Sequence, residues 1–214
     1  MSQQVDLIIV GAGGFAREMH GLLPSFNLGP HVRFRGYLAQ DTGVAARTDV
    51  SDQILASPED YQPQAHDRFV LAIGNMPARQ RVVDALQQKA GRFLTLVHPL
   101  AMVADSAQLD EGVIVYPFAA VSNGAHLGEF TKLNYYASAG HDSVTGRCCL
   151  LAPYATINGF ARLADYVYLS THSTVAPQVQ VGAQSILSAN SAAMHDVPAH
   201  SFVFGVPGRV TRRM

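Results

Sequence analysis

Two stretches of the chain carry residues whose types and spacing suit chemistry. In one, His141 stands directly before Asp142. An imidazole, with an unperturbed pKa of ~6.5, can take a proton from an attacking group near neutral pH. A carboxylate beside it can orient the ring and stabilise the imidazolium that forms. Adjacency alone does not single this pair out, because the chain has nine histidines. In the other stretch, Gly11-Ala12-Gly13-Gly14-Phe15-Ala16 follows the apolar run from Val5 to Val10 and opens a helical segment. This G-x-G-x-x-A spacing lets backbone and helix N-terminus approach a phosphate; a purely structural tight turn is the plain alternative.

The elements that must position these residues differ in kind. The first part of the chain alternates strand and helix: a strand over Val5–Val10, a helix to about Leu23 stopped by Pro24, and a strand near Arg33–Leu38. A strand over Phe69–Ile73 leads into Gly74-Asn75, Pro77 opens a helix to about Ala90, and Phe93–Val97 forms a short strand. That alternation implies a small parallel sheet with ligands at the carboxyl ends of its strands. A dinucleotide site also wants an acid at the end of the second strand. Here Gly36-Tyr37-Leu38-Ala39-Gln40-Asp41 has none at the strand end. A mononucleotide-sized half, holding a nucleotide diphosphate, fits better.

From Val97 to Ser191 the pattern changes to a period of six. The first residues of successive hexads run Val97, Val103, Leu109, Val115 and onward to Leu187, and fourteen of these sixteen are branched aliphatic. The fifth residues, Ala101 through Ser191, are never larger than Val. Neither a helix (3.6) nor a half-buried strand (2) has this period; a parallel β-helix does. Three hexads make one triangular coil, so about eighteen residues return the chain to the same place, roughly 4.8 Å along the axis. Gly159 lies eighteen residues after His141 and belongs one coil on, where its N–H can meet negative charge developing near the imidazole. An Asn158-Gly159 corner with no further role is the bland reading.

Composition narrows the partners. Net charge is −1 and charged residues make up 14% of the chain, so nothing steers it to nucleic acid or an anionic membrane. No apolar run approaches a membrane span. The start, Met1-Ser2-Gln3-Gln4, lacks the basic region of a signal peptide, and the only cysteines, Cys148 and Cys149, are adjacent. A cytoplasmic setting is expected, with some apolar surface buried between subunits.

Taken together, Val10–Glu18, Ala72-Ile73-Gly74-Asn75 with Arg79, Leu96-Val97-His98-Pro99, Gly140–Gly146 and Phe204–Val210 make the chain resemble the bacterial hexapeptide-repeat sugar acyltransferases. The likeness is to the sialic-acid O-acetyltransferase and nucleotide-sugar N-acetyltransferase type, and it covers essentially the whole chain. It implies an α/β Rossmann-like domain over residues 1–94, then a left-handed parallel β-helix with a C-terminal tail over 95–214. It also implies a homotrimer, acetyl-CoA as acyl donor and a sugar or nucleotide-sugar acceptor. By the same resemblance His141 is the general base, Asp142 its partner, Gly159 the oxyanion donor, and Asn134 a residue near the acceptor. The coenzyme would lie against Gly159, Pro177, Gly182, Ala189, Pro207 and Arg209, with Arg212 and Arg213 near its phosphates. The acceptor's nucleotide would lie against Gly11, Gly13, Gly14, Phe15, Gly74 and Asn75. No metal is implied.

The chain departs from the family pattern in places. Leu150 stands where a second active-site His is common, Gly140 where an acid often precedes the catalytic His, Ala39-Gln40 where relatives carry Asp-Asp, and Phe15 where the fingerprint has His. Leu150 and Ala39-Gln40 keep open a second reading, a nucleotide- or CoA-binding module that has lost turnover. A zinc hydratase of the γ-carbonic-anhydrase kind needs two histidines five apart, a spacing that the repeat region's His98, His126, His141, His172 and His195 do not supply among themselves.

Overall fold

The computed structural model describes residues 4–40 and 53–212. The chain divides into two compact units, Met1–Leu94 and Thr95–Met214. Asp41, Arg213 and the side chain of Arg212 lie outside the described residues.

The first unit holds a parallel sheet of β1 (Val5–Val10), β2 (Val32–Leu38), β3 (Ile54–Ala56) and β4 (Asp67–Leu71), in the order β3-β2-β1-β4. β1 occupies an inner place, so Leu7 to Val10 form a continuous buried run. Asp6, also buried, is matched by Arg33, whose Nε donates to Oδ1 at 2.6 Å. That bond holds the Asp6 carboxyl below the ordinary carboxylate range. Helix α1 (Gly14–Leu22) follows β1, and α2 (Met76–Gln88) follows β4. The start of α2 is fixed by Asn75, whose Oδ1 accepts from Ala78 N–H at 3.0 Å, and by Pro77 in the first turn.

The α-helix ends at Leu22, just before Pro24 as expected, and Leu23–Phe26 follows as a 3₁₀ turn, where a missing N–H costs little. Two local expectations are corrected. β4 begins and ends two residues early, because Asp67 pairs with Asp6 of β1. The short strand expected over Phe93–Val97 is divided: Phe93 makes an isolated bridge to Phe69, while Leu96–Val97 is the first rung of the coil. β3, three residues long, was not legible in the sequence.

The second unit is a parallel β-solenoid. Seventeen two-residue strands, from Leu96–Val97 to Ala192–Ala193, fall on three faces, giving between five and six coils. The first face starts at Leu96–Val97, the second at Met102–Val103 and the third at Gln108–Leu109. Strands stack in register eighteen residues apart, as Leu133 on Leu151 and Ala139 on Ile157. The first and fifth residues of each hexad meet inside: Leu127, Leu133, Ala137, Ala139, Ala155 and Ile157 are all fully buried. Val97 and Val103, in the first coil, are only partly covered. The fourth residue turns each corner in the left-handed region, from Gly112 (φ 73°) through Asp142 (φ 56°) to Asn190 (φ 53°). The solenoid ends in Ser201–Phe204, which extends the first face, and Arg209–Arg212, which folds back antiparallel on it.

Filling this column is what stabilises the coil. Ile157→Ala is expected to cost about 2–5 kcal/mol, whereas Arg162→Ala, on the exposed third face, stays within about 0.5 kcal/mol; urea unfolding of both variants checks the contrast.

Candidate active site

The corner between the second and third faces carries the dyad. His141 is the third residue of its hexad and points outward, with 60% of its side chain exposed. Its Nδ1 lies 2.9 Å from Asp142 Oδ2. A carboxylate accepts, so Nδ1 is the donor in this contact and Nε2 is left free of Asp142. Asp142 takes the left-handed turn position, which Asp tolerates better than most residues.

Three glycines make room for this arrangement. A Cβ on Gly159, one coil on, would lie 2.5 Å from His141 Nε2. A Cβ on Gly124, one coil before Asp142, would lie 2.6 Å from its Oδ1, and one on Gly140 would press on Gly159 N at 2.8 Å. The imidazole therefore rests directly over the backbone of Gly159. Among the described residues no backbone acceptor takes the Gly159 N–H, while Phe160 N–H donates to His141 O at 3.0 Å and ties the two corners together. The Phe160 ring meets the imidazole edge-on, centroids 5.1 Å apart. An exposed imidazole beside an N–H with no backbone acceptor among the described residues is an arrangement that acyl transfer can use.

A second His–Asp contact shows what makes this one different. His126 Nε2 lies 3.0 Å from Asp110 Oδ1 on the third face, but the residue one coil on is Val144, whose N–H is already given to Ala161 O. His98 is buried, accepts from Leu100 N–H through Nδ1, and has its imidazole pushed down by that burial. Asp6, His66 and Asp67 lie close enough to hold a metal, yet Arg33 and Arg35 already occupy the two carboxylates.

The other expected positions divide. Pro177 lies on the dyad's corner, one coil after Gly159. Gly182 lines a groove of about 590 Å³ on the third face with Gly146, Arg162 and Pro198. Asn134, whose Oδ1 accepts from Tyr135 N–H, and exposed Ala189 fall on the corner between the first and second faces. Exposed Pro207 and Arg209 belong to the terminal hairpin. One chain thus joins His141, Asp142 and Gly159, and does not bring Asn134 or Ala189 to them.

In the first unit the expected residues do converge. Gly11, Gly13, Gly14, Phe15, Gly74 and Asn75 line one cavity of about 400 Å³ at the carboxyl ends of β1, β2 and β4. Gly11, at φ 119°, leaves no room for a side chain against Ala72 O, whereas Gly14 and Gly74 face open space. Sequence reasoning noted Gln40, in the cavity wall, only as a departure from the family pattern, and missed two residues nearby: Arg81 in the same wall and Glu59 bonded to Gln40. Glu59 stands far from the other two in sequence, so no local motif marks it.

A parallel coil of six-residue rungs with an outward histidine at a corner is the hexapeptide-repeat transferase architecture. Solved structures share it over nearly the whole chain. The acetyltransferase domain of PglB from Neisseria gonorrhoeae, in complex with acetyl coenzyme A, superposes with a TM-score of 0.86 at 21% identity, covering 97% of this chain and 100% of that one. PerB from Caulobacter crescentus, in complex with CoA and GDP-perosamine, gives 0.84 at 23% identity, covering 96% of this chain and 97% of the other. No family model matches the sequence. The GDP-perosamine N-acetyltransferase of Escherichia coli O157:H7 is 30% identical over 156 residues, 71% of each chain. The chain belongs to the bacterial hexapeptide-repeat nucleotide-sugar acetyltransferases.

Gly159→Ala is expected to swing the His141 ring off the corner while the coil stays folded, seen as changed imidazole NMR shifts or directly by diffraction. Gly21→Ala, where a Cβ meets nothing within 4 Å, is the silent control.

Proposed function

We propose that this chain transfers the acetyl group of acetyl-CoA to the amino group of a nucleotide-linked sugar. The observation that carries the reading is His141 Nε2, free of Asp142 and set against the backbone of Gly159. The amine nitrogen attacks the thioester carbonyl as Nε2 takes its proton, and the new C–N bond forms. The carbonyl oxygen, now negative, accepts from Gly159 N–H. The intermediate collapses, the C–S bond breaks, and the CoA thiolate recovers the proton from the imidazolium. Holding both substrates in place supplies much of the rate. No cysteine takes part: Cys148 and Cys149 are buried.

The finer parts of the proposal follow from the family. The first unit is a Rossmann-like domain, consistent with its β3-β2-β1-β4 order, and it holds the acceptor's nucleotide over Gly11–Phe15. The solenoid is left-handed. Three copies assemble so that Asn134 and Ala189 of one face the dyad of the next, with Pro177, Gly182, Pro207 and Arg209 along the coenzyme. The enzyme works in the cytoplasm; no helix among the described residues is long and apolar enough to cross a membrane. Leu150, 9% exposed on the first face beside Lys132 and Tyr168, keeps one competing reading alive, binding without turnover.

Mass spectrometry of products from acetyl-CoA and a panel of amino and neutral nucleotide sugars is expected to show one acetyl group on an amino sugar. Tight binding with no product across the panel would establish the competing reading. His141→Asn is expected to lower kcat by about 10²–10⁴-fold, with acetyl-CoA binding by calorimetry unchanged.

A further inference from the structure

Two corners of the solenoid use aromatic side chains differently. Between the first and second faces, Phe118, Tyr136, Tyr154 and His172 stand eighteen residues apart and lie ring on ring. Their centroids are between 4.6 and 5.0 Å apart, so each ring is accounted for by the next. At the dyad's corner the residues one coil either side of Phe160 are Asp142 and Gln178, and no such ladder forms. Phe160 still takes the left-handed turn position, at φ 60°, with 51% of the residue exposed. Glycine or asparagine would hold that turn with less strain, and an exposed phenyl ring adds nothing to the buried column. Its one ring contact among the described residues is with His141, centroids 5.1 Å apart and planes at 88°. The N–H of the same residue donates to His141 O at 3.0 Å.

We propose that Phe160 is a positioning residue whose ring holds the His141 imidazole in place over Gly159. The inference rests on the reading of His141 as the general base. Two other groups touch the imidazole, and neither fixes it. Asp142 meets Nδ1 at 2.9 Å, but the two side chains are 60% and 49% exposed, and a solvated contact of this kind is weak. Gly159 leaves room for the ring, and a missing side chain permits a position without enforcing it. Phe160 supplies the enforcing contact. An edge-to-face arrangement is one that aromatic pairs favour, at centroid separations of ~4.5–7 Å. Because Phe160 also bonds to the His141 carbonyl and directly follows Gly159, one residue sets the base and the N–H donor relative to each other. Transfer is sensitive to that setting, since a misplacement of ~1 Å lowers a rate steeply.

The test uses three variants of the whole chain: Phe160→Asn, which suits the left-handed turn; Phe160→Leu, which keeps apolar bulk without a ring; and Phe160→Tyr, which keeps the ring. Phe160→Asn is expected to unfold in urea no earlier than the unaltered chain. Its kcat falls about three- to tenfold, while KM for acetyl-CoA changes less than about twofold. Phe160→Leu loses as much, and Phe160→Tyr stays within about twofold of the unaltered kcat. A merely structural role would move stability and kcat together. NMR of the histidine-labelled chain, with the His141 signal identified by its loss in His141→Asn, reads the ring directly and needs no substrate. The imidazole is expected to be ordered in the unaltered and Tyr chains and averaged between rotamers in the Asn chain. An imidazole equally ordered in Phe160→Asn, full kcat in the Asn or Leu chain, or a rise in KM alone would overturn the inference. Failure of the underlying reading looks different: His141→Asn keeps full turnover, or the unaltered chain has none, while the NMR comparison still decides whether Phe160 orders the ring.

Discussion

A solenoid with flat faces and tight corners requires the backbone to enter a left-handed conformation at every sixth residue, and L side chains resist that. The resistance is worth roughly 1 kcal/mol each time. In this chain it is met at Phe118, Phe130, Tyr136, Asp142, Tyr154, Phe160 and Tyr166, and avoided at Gly112 and Gly124. The buried aliphatic column and the bonds from coil to coil offset it. One consequence is geometric. A chain forced to bend this way throws the third side chain of the hexad outward and, at Gly159, leaves an N–H unengaged. Reactive groups therefore collect at corners, and stacking sets what lies above and below them.

The dyad shows how narrow the tolerance is. His141 and Asp142 are consecutive, so their side chains could have diverged; the left-handed turn at Asp142 brings its carboxylate back to Nδ1. The space they occupy exists because Gly124, Gly140 and Gly159 carry no side chains. His126 with Asp110 has similar charges at a similar distance, on a face instead of a corner, and there the next coil offers a side chain and an occupied amide.

Much of this was legible in the residues. The six-residue period named the solenoid, and the eighteen-residue return placed Gly159 beneath His141. The glycine fingerprint and Gly74-Asn75 located the first unit's cavity. What escaped notice depends on contacts between distant segments. Glu59 reaches Gln40 across nineteen positions with no motif to announce it. β3 is too short to show periodicity. The stacked rings of Phe118, Tyr136, Tyr154 and His172 do stand eighteen apart, a signal hidden because their hexad position is otherwise variable. Asn134 and Ala189 were named from the resemblance alone, and the chain sets them on a different corner from the dyad.

The terminal hairpin has a further consequence. The last rung of any parallel stack leaves a row of N–H and C=O groups that invites another molecule to continue the pile. Here Ser201–Phe204 is that rung on the first face, and Arg209–Arg212 lies along it running the opposite way. A neighbour arriving end-on with its own coil would find the polarity reversed. On that one face the parallel register of the coil stops with the hairpin.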